Sequence, residues 1–469
     1  MVGITSYGAY IPFRRLPLAA IGGGKSTGNG GPEKAVASWD EDSVTMAVAA
    51  AVACLQGIDR RRVDGVLFAS TSYAYQEKQA AAIVAKALNL RRDVLTADLG
   101  DSLRAGTTAL RTAVDMVRAE SERQVLVVAA DVRMAAPRSA MEAHLGDGAA
   151  AFLVGASDVA ASLVGTHAIT DEIIDVWRTG SDPFVHAWEE RFTVDHGYRH
   201  NVREAVSSLL RKQGLSPNNL AKVALYGPDA RSHAALAREL EIEPAALQDP
   251  LFGKVGNTGA AFALMQLAAA LERARPTERV LAASYGDGAE AFLFEVTPVI
   301  ESLRDRRAVS WHLSQRCELA SYDKYLRFRQ LLATEHGRRA GTGISATIHF
   351  RDRDQDLTLL GLRCRRCGTA QYPFQRVCFH CYARDEFDRI SLSDKIGRVL
   401  AFTFDNFAGS PDPPLIATVT DVEGARLFIQ MTDASPKEVR LDMPVELTFR
   451  KIHEAGGTPN YYWKCIPVR

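Results

Sequence analysis

The sequence lacks any long run of apolar residues. No stretch approaches the roughly 18 uninterrupted apolar residues that a membrane-spanning helix needs, and the opening Met-Val-Gly-Ile-Thr-Ser-Tyr shows no signal-peptide pattern. We therefore expect a soluble, cytoplasmic protein with no membrane partner. Since 47% of the 469 residues are hydrophobic, the chain can nevertheless fill two or three cores.

An excess of charge of either sign is also missing. Lys and Arg together number 56, and so do Asp and Glu. A balanced chain of this kind gives no electrostatic reason to expect nucleic acid or an anionic surface as a partner. We therefore predict no nucleic-acid partner.

Cysteine is scarce and unevenly placed. Three of the seven cysteines stand alone, and four form two Cys-x-x-Cys pairs that enclose ten residues. This pattern indicates a reducing compartment and a metal site rather than a disulfide framework. Two such pairs can surround one ion tetrahedrally, which predicts a structural zinc, with iron as the alternative. The predicted ligands are Cys364, Cys367, Cys378 and Cys381.

A glycine-rich segment, Gly22-Gly-Gly-Lys-Ser-Thr27, has some features of a phosphate-binding loop. However, the position five residues before Gly24 is Ala19 rather than glycine, and no buried strand leads into the segment. We therefore predict an ordinary loop here.

What the sequence does contain is an internal repeat. The segment Gly146-Asp-Gly-Ala-Ala-Ala-Phe-Leu153 nearly matches Gly286-Asp-Gly-Ala-Glu-Ala-Phe-Leu293, and the strand and helix patterns before each copy also correspond. Short buried runs alternate with helical patterns, which is typical of largely parallel strands covered by helices. We predict two copies of one α/β unit, residues 1–158 and 159–300, with the functional site where the halves meet.

The character of the sequence changes after residue 300. Residues 301–356 are rich in charge and contain one amphipathic pattern, Tyr322–Leu332, which predicts a helical connector. From residue 357 onward, short apolar runs separated by turn residues predict an all-β region that ends in a small barrel.

The first 296 residues resemble the hydroxymethylglutaryl-CoA synthase branch of the thiolase superfamily, especially its archaeal members. The resemblance implies the α/β thiolase fold, in which two βαβαβαββ halves form five layers. The motifs that carry it are Val2-Gly-Ile-Thr-Ser-Tyr-Gly-Ala-Tyr-Ile-Pro12, Asp40-Glu-Asp-Ser-Val-Thr-Met46, Thr96-Ala-Asp-Leu99, Gly253-Lys-Val-Gly-Asn-Thr258 and Ser284-Tyr-Gly-Asp-Gly-Ala289.

The C-terminal region resembles the zinc-ribbon and OB-fold proteins that accompany thiolase-like enzymes and handle acyl-CoA. This resemblance, carried by the four cysteines and the short strands after them, covers residues from about 320 to 469. It implies a zinc ribbon over residues 357–390 and an OB-fold barrel over residues 391–469, fused to the enzyme.

The family resemblance implies acyl transfer on a thioester by a nucleophilic cysteine, with a histidine, a glutamate and an asparagine. In this sequence the cysteine falls on Leu103, the histidine on Tyr226 and the glutamate on Thr71. Asn257 keeps the family identity. Because leucine cannot form an acyl-enzyme, the usual mechanism is in question.

Our main hypothesis is an aldol or retro-aldol lyase that acts on a 3-hydroxyacyl-CoA, because such a reaction needs no acyl-enzyme. Tyr226 would be the acid or base and Asn257 would hold the enolate. A free tyrosine has a pKa of about 10, so we expect the pocket to lower the pKa of Tyr226 or to add Asp101 or His144 as a catalytic neighbour.

Two other functions stay open. The first is a hydroxymethylglutaryl-CoA synthase-like condensing acyltransferase, with Ser102 as the nucleophile if it is not simply a helix cap. The second is a non-catalytic acyl-CoA-binding scaffold for a partner thiolase, since a pseudoenzyme also loses its catalytic residues.

The resemblance also implies a substrate and partners. Coenzyme A would form part of the acyl-CoA substrate, and its phosphates would need basic residues such as Arg338 and Arg339. A homodimer is expected from the family, possibly with a separate thiolase. The residues predicted to contact the substrate are Thr71, Ser102, Leu103 and Tyr285.

Overall fold

The computed structural model describes residues 1–23, 31–180, 182–332, 345–406, 410–455 and 458–469. Most of the glycine-rich segment, from Gly24 to Thr27, and the basic pair Arg338 and Arg339 lie outside these residues. The chain divides into two units. The first comprises Met1–Ser38, Asp42–Ala85 and Leu90–Tyr325, and the second Trp39–Glu41, Lys86–Asn89 and Leu326–Arg469.

Up to residue 320 the chain alternates strands and helices. The strands are β1 Gly3–Tyr10, β2 Arg14–Pro17, β3 Glu33–Val36, β4 Gly65–Ala69, β5 Leu95–Leu99, β6 Gln124–Asp131, β7 Gly148–Gly155, β8 Ala161–Thr170, β9 Val176–Trp177, β10 His186–Ala187, β11 Lys222–Leu225, β12 Arg279–Tyr285, β13 Gly288–Val296 and β14 Cys317–Glu318. The helices are α1 Leu18–Ile21, α2 Ser43–Cys54, α3 Ala80–Ala87, α4 Ala105–Arg118, α5 Glu190–Phe192, α6 His200–Lys212, α7 Ala230–Glu239, α8 Phe262–Leu271 and α9 Val309–Ser314.

Nine strands of the first unit form one sheet, in the order β11-β12-β13-β8-β1-β7-β6-β4-β5. The two halves join where β1 pairs antiparallel with β8, for example at Ile4 and Ala161. In the second half, an isolated parallel bridge between Val223 and Leu247 occupies the place that the β4–β5 pair has in the first half. The internal repeat is therefore a structural duplication, as predicted.

Helices and the two halves of the sheet stack in five layers. Helix α2 packs on β1 and β7, α6 packs on β8 and β13, and α4 and α8 lie together between the two halves. All ten residues of α8 are buried, which is expected of a helix that is covered on every side and therefore needs no polar face. The predicted five-layered α/β fold is confirmed.

The central helices approach each other closely at Gly106, in the first turn of α4. A Cβ atom at this position would lie 2.3 Å from the carbonyl oxygen of Ala260, just before α8. Only a residue without a side chain allows this approach. The two halves therefore meet through backbone at the N-terminal ends of their central helices.

The second unit is largely β-structure. Its strands are β15 Leu360–Cys364, β16 Ala370–Gln371, β17 Phe387–Ser391, β18 Gly397–Asp405, β19 Leu415–Val422, β20 Ala425–Met431, β21 Pro444–Ala455 and β22 Thr458–Pro467. Strands β16-β15-β17 form a small sheet, and β18-β19-β20-β22-β21 form a closed barrel. Buried and more exposed residues alternate along β19, as in a strand with one face toward the barrel interior. The predicted small barrel is confirmed.

The segment predicted as a helical connector contains α9 and two further helices, α10 Tyr322–Phe328 and α11 Ala346–Asp356. Helix α10 is shorter than the predicted helix over Tyr322–Leu332. The predicted domain boundaries, at 158/159, 300/301, 356/357 and 390/391, stay predictions. Among the residues that the structure describes, no helix is both long and apolar enough to cross a bilayer.

Because of the close approach at Gly106, we expect Gly→Ala to change the stability in the opposite direction from usual. Within a helix, Gly→Ala usually stabilises by about 1 kcal/mol, but here the added methyl group meets the Ala260 carbonyl. We expect Gly106→Ala to destabilise the protein by about 1–3 kcal/mol, measured as a lower thermal midpoint by calorimetry. Gly22→Ala is the control, because its nearest atom would lie 3.8 Å away. An unchanged or higher midpoint for Gly106→Ala would contradict the close approach.

Candidate functional site

Each copy of the repeat lies against a site loop of the other half. The Gly146 amide donates to the Asn257 carbonyl oxygen at 3.0 Å, and a Cβ at Gly146 would lie 1.9 Å from the Val255 carbonyl oxygen. A Cβ at Gly286 would lie 3.0 Å from the Leu103 amide nitrogen. Glycine permits both approaches. The repeats thus fix the loops that carry the predicted nucleophile position and the family asparagine.

These loops border a cavity of about 120 Å³ in the first unit. At roughly 10–15 Å³ for each water-sized sphere, this volume holds a small acyl or acid group of on the order of ten heavy atoms. Five of the predicted site residues line the cavity together: Leu103, His144, Tyr226, Asn257 and Tyr285. Two of the three substituted family positions, Leu103 and Tyr226, therefore lie at one pocket with the retained Asn257, and Thr71 does not.

Three predicted residues are not among the lining residues. Thr71 donates to the Asp131 carboxylate through both its amide, at 2.7 Å, and its hydroxyl, at 2.9 Å. Asp101 is exposed and has a left-handed backbone, with φ of 66°. Ser102 accepts a long 3.4 Å hydrogen bond from the Arg104 amide. Arg104, rather than Ser102, is the N-cap residue of α4.

Tyr226 and Asn257 are hydrogen-bonded to each other. The Asn257 side-chain Nδ2 donates to the Tyr226 hydroxyl oxygen and to the Gly227 carbonyl oxygen, each at 3.1 Å. The Asn257 Oδ1 accepts from the Gly259 amide at 2.9 Å. Since both amide hydrogens are engaged, Asn257 orients Tyr226, which differs from the enolate-holding role expected from the sequence.

The Tyr226 ring is held firmly in place. Its backbone amide donates to the Ala283 carbonyl oxygen at 2.8 Å, and its backbone carbonyl accepts from the Tyr198 hydroxyl at 2.6 Å. Its ring meets those of Tyr198 and Phe262 edge to face, at centroid distances of 6.0 and 5.5 Å. The phenol therefore has a fixed position at the cavity wall.

The environment of Tyr226 favours the protonated form of its hydroxyl. Burial raises the pKa of Tyr226, and the opposing effects of the Arg133 charge and the Asn257 hydrogen bond do not reverse this. The first of the two expected alternatives, a lowered pKa of Tyr226, is therefore wrong, because desolvation disfavours the phenolate. At neutral pH Tyr226 is a hydrogen-bond donor and an acid rather than a base.

His144 lies on the cavity wall near the Asn257 loop. Its carbonyl oxygen accepts from the Asn257 amide at 2.7 Å, and its ring meets the Phe252 ring edge to face at 6.5 Å. Its backbone thus supports the loop while its ring faces a partly aromatic environment.

Arg133 and Asp175 are among the ionisable lining residues that the sequence analysis missed. Arg133 is only 7% exposed, and burial raises the pKa of Asp175. Arg133 comes two residues after the end of β6. Because residues that follow strand ends were the predicted site positions, this location could have identified Arg133 as a candidate site residue. Asp175 lies in an irregular segment just before β9, and no sequence pattern pointed to it.

An unusual helical segment forms another part of the wall. Residues Thr193–Arg199 are a π-helix between α5 and α6, and Thr193, Val194 and Tyr198 line the cavity. Single π-turns inside α-helices are frequent at functional sites because they re-aim side chains. Here the π-helix directs Tyr198 toward the Tyr226 backbone.

A second, larger cavity of about 950 Å³ belongs to the second unit. Its wall includes aromatic residues such as Trp39, Phe428 and Tyr461, and the ionisable residues Asp356 and His453. It contains none of the predicted catalytic residues.

The four predicted metal ligands lie together at the small sheet of the second unit. Their Sγ atoms all fall within 4.8 Å of one another, with 3.6 Å between Cys364 and Cys381 and 3.6 Å between Cys367 and Cys378. Tetrahedral Zn²⁺ with Zn–S bonds of about 2.3 Å places sulfurs about 3.8 Å apart. The donor set therefore fits one structural zinc ion.

The backbone around the cysteines forms two matching turns. Gly368 and Tyr382, which directly follow the second cysteine of each pair, both have left-handed backbones with φ of 77° and 59°. Their amides donate to the carbonyl oxygens of Cys364 and Cys378, at 2.8 and 3.0 Å. His380 is exposed. With four thiolates around the ion, the metal would hold the fold and have no open position for a substrate.

We expect the purified protein to contain about one zinc ion per chain. Cys378→Ser should abolish the zinc and increase hydrogen exchange in β15 to β17, because the metal supplies much of the folding free energy of such a small sheet. Metal analysis and hydrogen-exchange mass spectrometry are the measurements. Cys317→Ser, in β14, is the control and should keep the zinc. Iron in place of zinc would contradict the metal assignment.

Two family models match the chain. One, described as 3-Oxoacyl-[acyl-carrier-protein (ACP)] synthase III, matches residues 97–172. The other, described as ChsH2, rubredoxin-like zinc ribbon domain, matches residues 351–388. The second match includes all four clustered cysteines and supports the zinc assignment.

Solved structures share the fold of the first unit. A crystal structure of HMG-CoA synthase complexed with CoA is similar with a TM-score of 0.63 and 19% identity, over 73% of this chain and 94% of that one. The structure of MvaS in complex with 3-hydroxy-3-methylglutaryl coenzyme A gives a TM-score of 0.61 and 21% identity, with the same coverage. At these identities the likeness concerns the fold alone.

Curated relatives are closer in sequence. The hydroxymethylglutaryl-CoA synthase of Methanopyrus kandleri is 32% identical over 343 residues, which cover 71% of this chain and 98% of the relative. That of Archaeoglobus fulgidus is 32% identical over 342 residues, which cover 70% and 99%. The chain therefore belongs to the hydroxymethylglutaryl-CoA synthase family, with a zinc ribbon and a β-barrel fused to the family domain.

Proposed function

We propose that this protein is a condensing enzyme that joins the carbon next to an acyl-CoA thioester to a carbonyl group, without an acyl-enzyme. The observation that carries the proposal is the cavity itself, which Tyr226, Asp175 and Leu103 line together. Relatives named hydroxymethylglutaryl-CoA synthase, and a fold neighbour solved with CoA, support acyl-CoA as the substrate and condensation as the reaction.

The cavity offers no thiol for an acyl-enzyme. Leu103 carries only hydrocarbon, and the cavity-lining residues among those described include no cysteine. Cys54 is fully buried elsewhere, and burial raises the pKa of its thiol to about 12. Ser102 is not a lining residue, which leaves a serine nucleophile without support. Condensation here therefore proceeds by direct aldol-type addition.

The two proton transfers of the reaction are assigned to Asp175 and Tyr226. Asp175 takes a proton from the α-carbon, since burial raises the pKa of its carboxyl toward that of a useful base. The resulting enolate carbon attacks the carbonyl carbon, and the carbonyl oxygen takes the proton of Tyr226. Asn257 is a positioning residue, because its amide holds the phenol oxygen at 3.1 Å. Proton exchange with solvent restores both groups.

Retro-aldol cleavage of a 3-hydroxyacyl-CoA is the second candidate. Leu103 favours it specifically, because cleavage in this direction never requires an acyl-enzyme. The same residues serve in reverse, from the minor form in which Asp175 is protonated and Tyr226 is ionised: the phenolate takes the hydroxyl proton, and Asp175 returns a proton to the α-carbon. Burial raises the pKa of Tyr226 and so disfavours this starting form at neutral pH. A catalyst accelerates both directions, so the concentrations of the reactants decide which one is observed.

The test is product formation in both directions. Purified protein is incubated with acetyl-CoA or propionyl-CoA and a panel of ketones and aldehydes, and separately with a panel of 3-hydroxyacyl-CoA esters. We expect Tyr226→Phe to lower the rate about a hundredfold or more, which is typical for loss of an acid. Tyr382→Phe, at a side chain that is 78% exposed, is the matched control and should keep full activity.

Two outcomes would overturn the proposal. A stable acyl-protein adduct would show that another nucleophile replaces the cysteine. Tight binding of CoA esters without turnover in either direction would favour the scaffold for a partner thiolase. The homodimer and a separate thiolase partner stay predictions that rest on the family resemblance.

A further inference from the structure

Arg133 is a buried cation without a direct partner. Its side chain is 7% exposed and lines the cavity of the first unit. Within the described part of the chain, its guanidinium makes no hydrogen bond and no ion pair within 4.0 Å, although it can donate five hydrogen bonds. An unpaired buried charge of this kind is costly, and a bound anion would compensate it.

The two carboxylates whose charges act on Arg133, those of Asp131 and Asp175, already accept hydrogen bonds from other groups. Asp131 accepts from the Ser70 hydroxyl at 2.9 Å, from both donors of Thr71, and from the Ala260 amide at 2.7 Å. Asp175 accepts from the Val176 amide. Both carboxylates act on Arg133 only through longer-range charge effects. The guanidinium donors are therefore available to a molecule in the cavity.

Other acidic residues do not compete for this position. Asp229 lines the cavity, but its carboxylate accepts from the Ser232 amide at 2.9 Å and hydroxyl at 2.6 Å, as the N-cap of α7. Glu190 also lines the cavity, but its side chain is exposed. Neither is within ion-pair distance of Arg133.

The stem of Arg133 is held in place by backbone. A Cβ at Gly259 would lie 2.7 Å from the Arg133 Cδ and 2.2 Å from the Asp131 Oδ2. Gly259 also has a left-handed φ of 61°. The arginine stem therefore packs against a segment that only glycine can form, beside the Asn257 loop.

Arg133 and Tyr226 lie close enough to be coupled. Each is the largest charge influence on the other: the guanidinium lowers the pKa of Tyr226, while the Tyr226 phenolate favours the charged form of Arg133. A molecule held by both would place a carbonyl oxygen at the Tyr226 hydroxyl and an anionic group next to it at the guanidinium. A planar carboxylate suits the arginine fork.

We propose that Arg133 binds the carboxylate of a 2-oxo acid, and that this acid is the carbonyl reactant of the condensation. The proposed function supplies the reaction in this inference, whereas the anion site itself stands on Arg133 and the cavity. Asp175 takes the α-proton of the acyl-CoA, the α-carbon bonds to the keto carbon, the keto π electrons move to oxygen, and that oxygen takes the Tyr226 proton. The product is a 3-carboxy-3-hydroxyacyl-CoA, and no other atom leaves.

The size of the cavity fits this reactant. A volume of about 120 Å³ suits an acid with a short side chain, such as pyruvate or 2-oxobutyrate. The charge on Arg133 then distinguishes the acid from a neutral ketone, since a buried cation loses its partner when the carboxylate is missing.

The test measures binding first and turnover second. Pyruvate and its uncharged match, methyl pyruvate, are titrated into the full-length protein by calorimetry. We expect pyruvate to bind about tenfold or more tightly than the ester, and Arg133→Gln to abolish that difference. Arg211→Gln, at an exposed arginine in α6, is the control and should keep it. Equal binding of acid and ester by the wild type would overturn the proposal.

Stability gives a second readout that separates ligand binding from a structural role. Replacing an unpaired buried charge should leave the ligand-free protein as stable as the wild type or more stable, whereas replacing a structural arginine would destabilise it. A lower thermal midpoint for ligand-free Arg133→Gln, together with unchanged pyruvate binding, would assign Arg133 a structural role.

Turnover separates this inference from the proposed function. If acyl-CoA condenses with neutral ketones as well as with 2-oxo acids, and Arg133→Gln changes neither rate, the proposed function stands and this inference fails. If pyruvate binding depends on Arg133 but no acyl-CoA reacts in either direction, the anion site stands and the proposed condensation fails.

Discussion

The Asp131 carboxylate, at the end of β6, holds the site together. It is fully buried and accepts hydrogen bonds from the residues that follow β4, namely the hydroxyls of Ser70 and Ser72 at 2.9 and 2.8 Å and both donors of Thr71. It also accepts from the Ala260 amide, at 2.7 Å, in the other half. A buried charge with this many donors is well compensated. It therefore ties a strand end of the first half to the segment that follows Asn257.

The rest of the site depends on this connection. The segment fixed by Asp131 contains Gly259, whose amide holds the Asn257 side chain, and Asn257 in turn holds Tyr226. Arg133 passes beside the same glycine into the cavity. The pocket therefore keeps its structure with leucine at position 103, because its loops are held by Asp131 and by the glycine contacts rather than by the nucleophile.

Much of this arrangement was predictable from the sequence, and the reason is the duplication. The repeated Gly-Asp-Gly-Ala segments indicated two similar halves, and Gly146 and Gly286 each contact the site loop of the opposite half. The cysteine spacing predicted the sulfur cluster, because four thiolates in two tight turns have one common geometry. Leu103, Tyr226 and Asn257 line one cavity, and the sequence indicated this proximity because each follows a strand or precedes a helix.

The protonation and pairing of side chains were not predictable in the same way. The pKa of Tyr226 is raised rather than lowered because its surroundings are apolar and aromatic, and burial depends on packing from distant parts of the chain. The guanidinium of Arg133 is free because no acceptor from other parts of the described chain lies within hydrogen-bond distance. No local sequence pattern predicts this. Thr71 was expected at the substrate, but its hydrogen bonds go to Asp131, a long-range pairing.

On this proposal, the cavity forms a thioester enolate without acylating the protein. The most direct measurement is deuterium uptake at the α-carbon of propionyl-CoA in D₂O, combined with the intact mass of the protein in the same sample. We expect exchange that Asp175→Asn abolishes, with no change in the mass of the protein. A propionyl adduct on the protein, or exchange that persists in Asp175→Asn, would contradict the proposal.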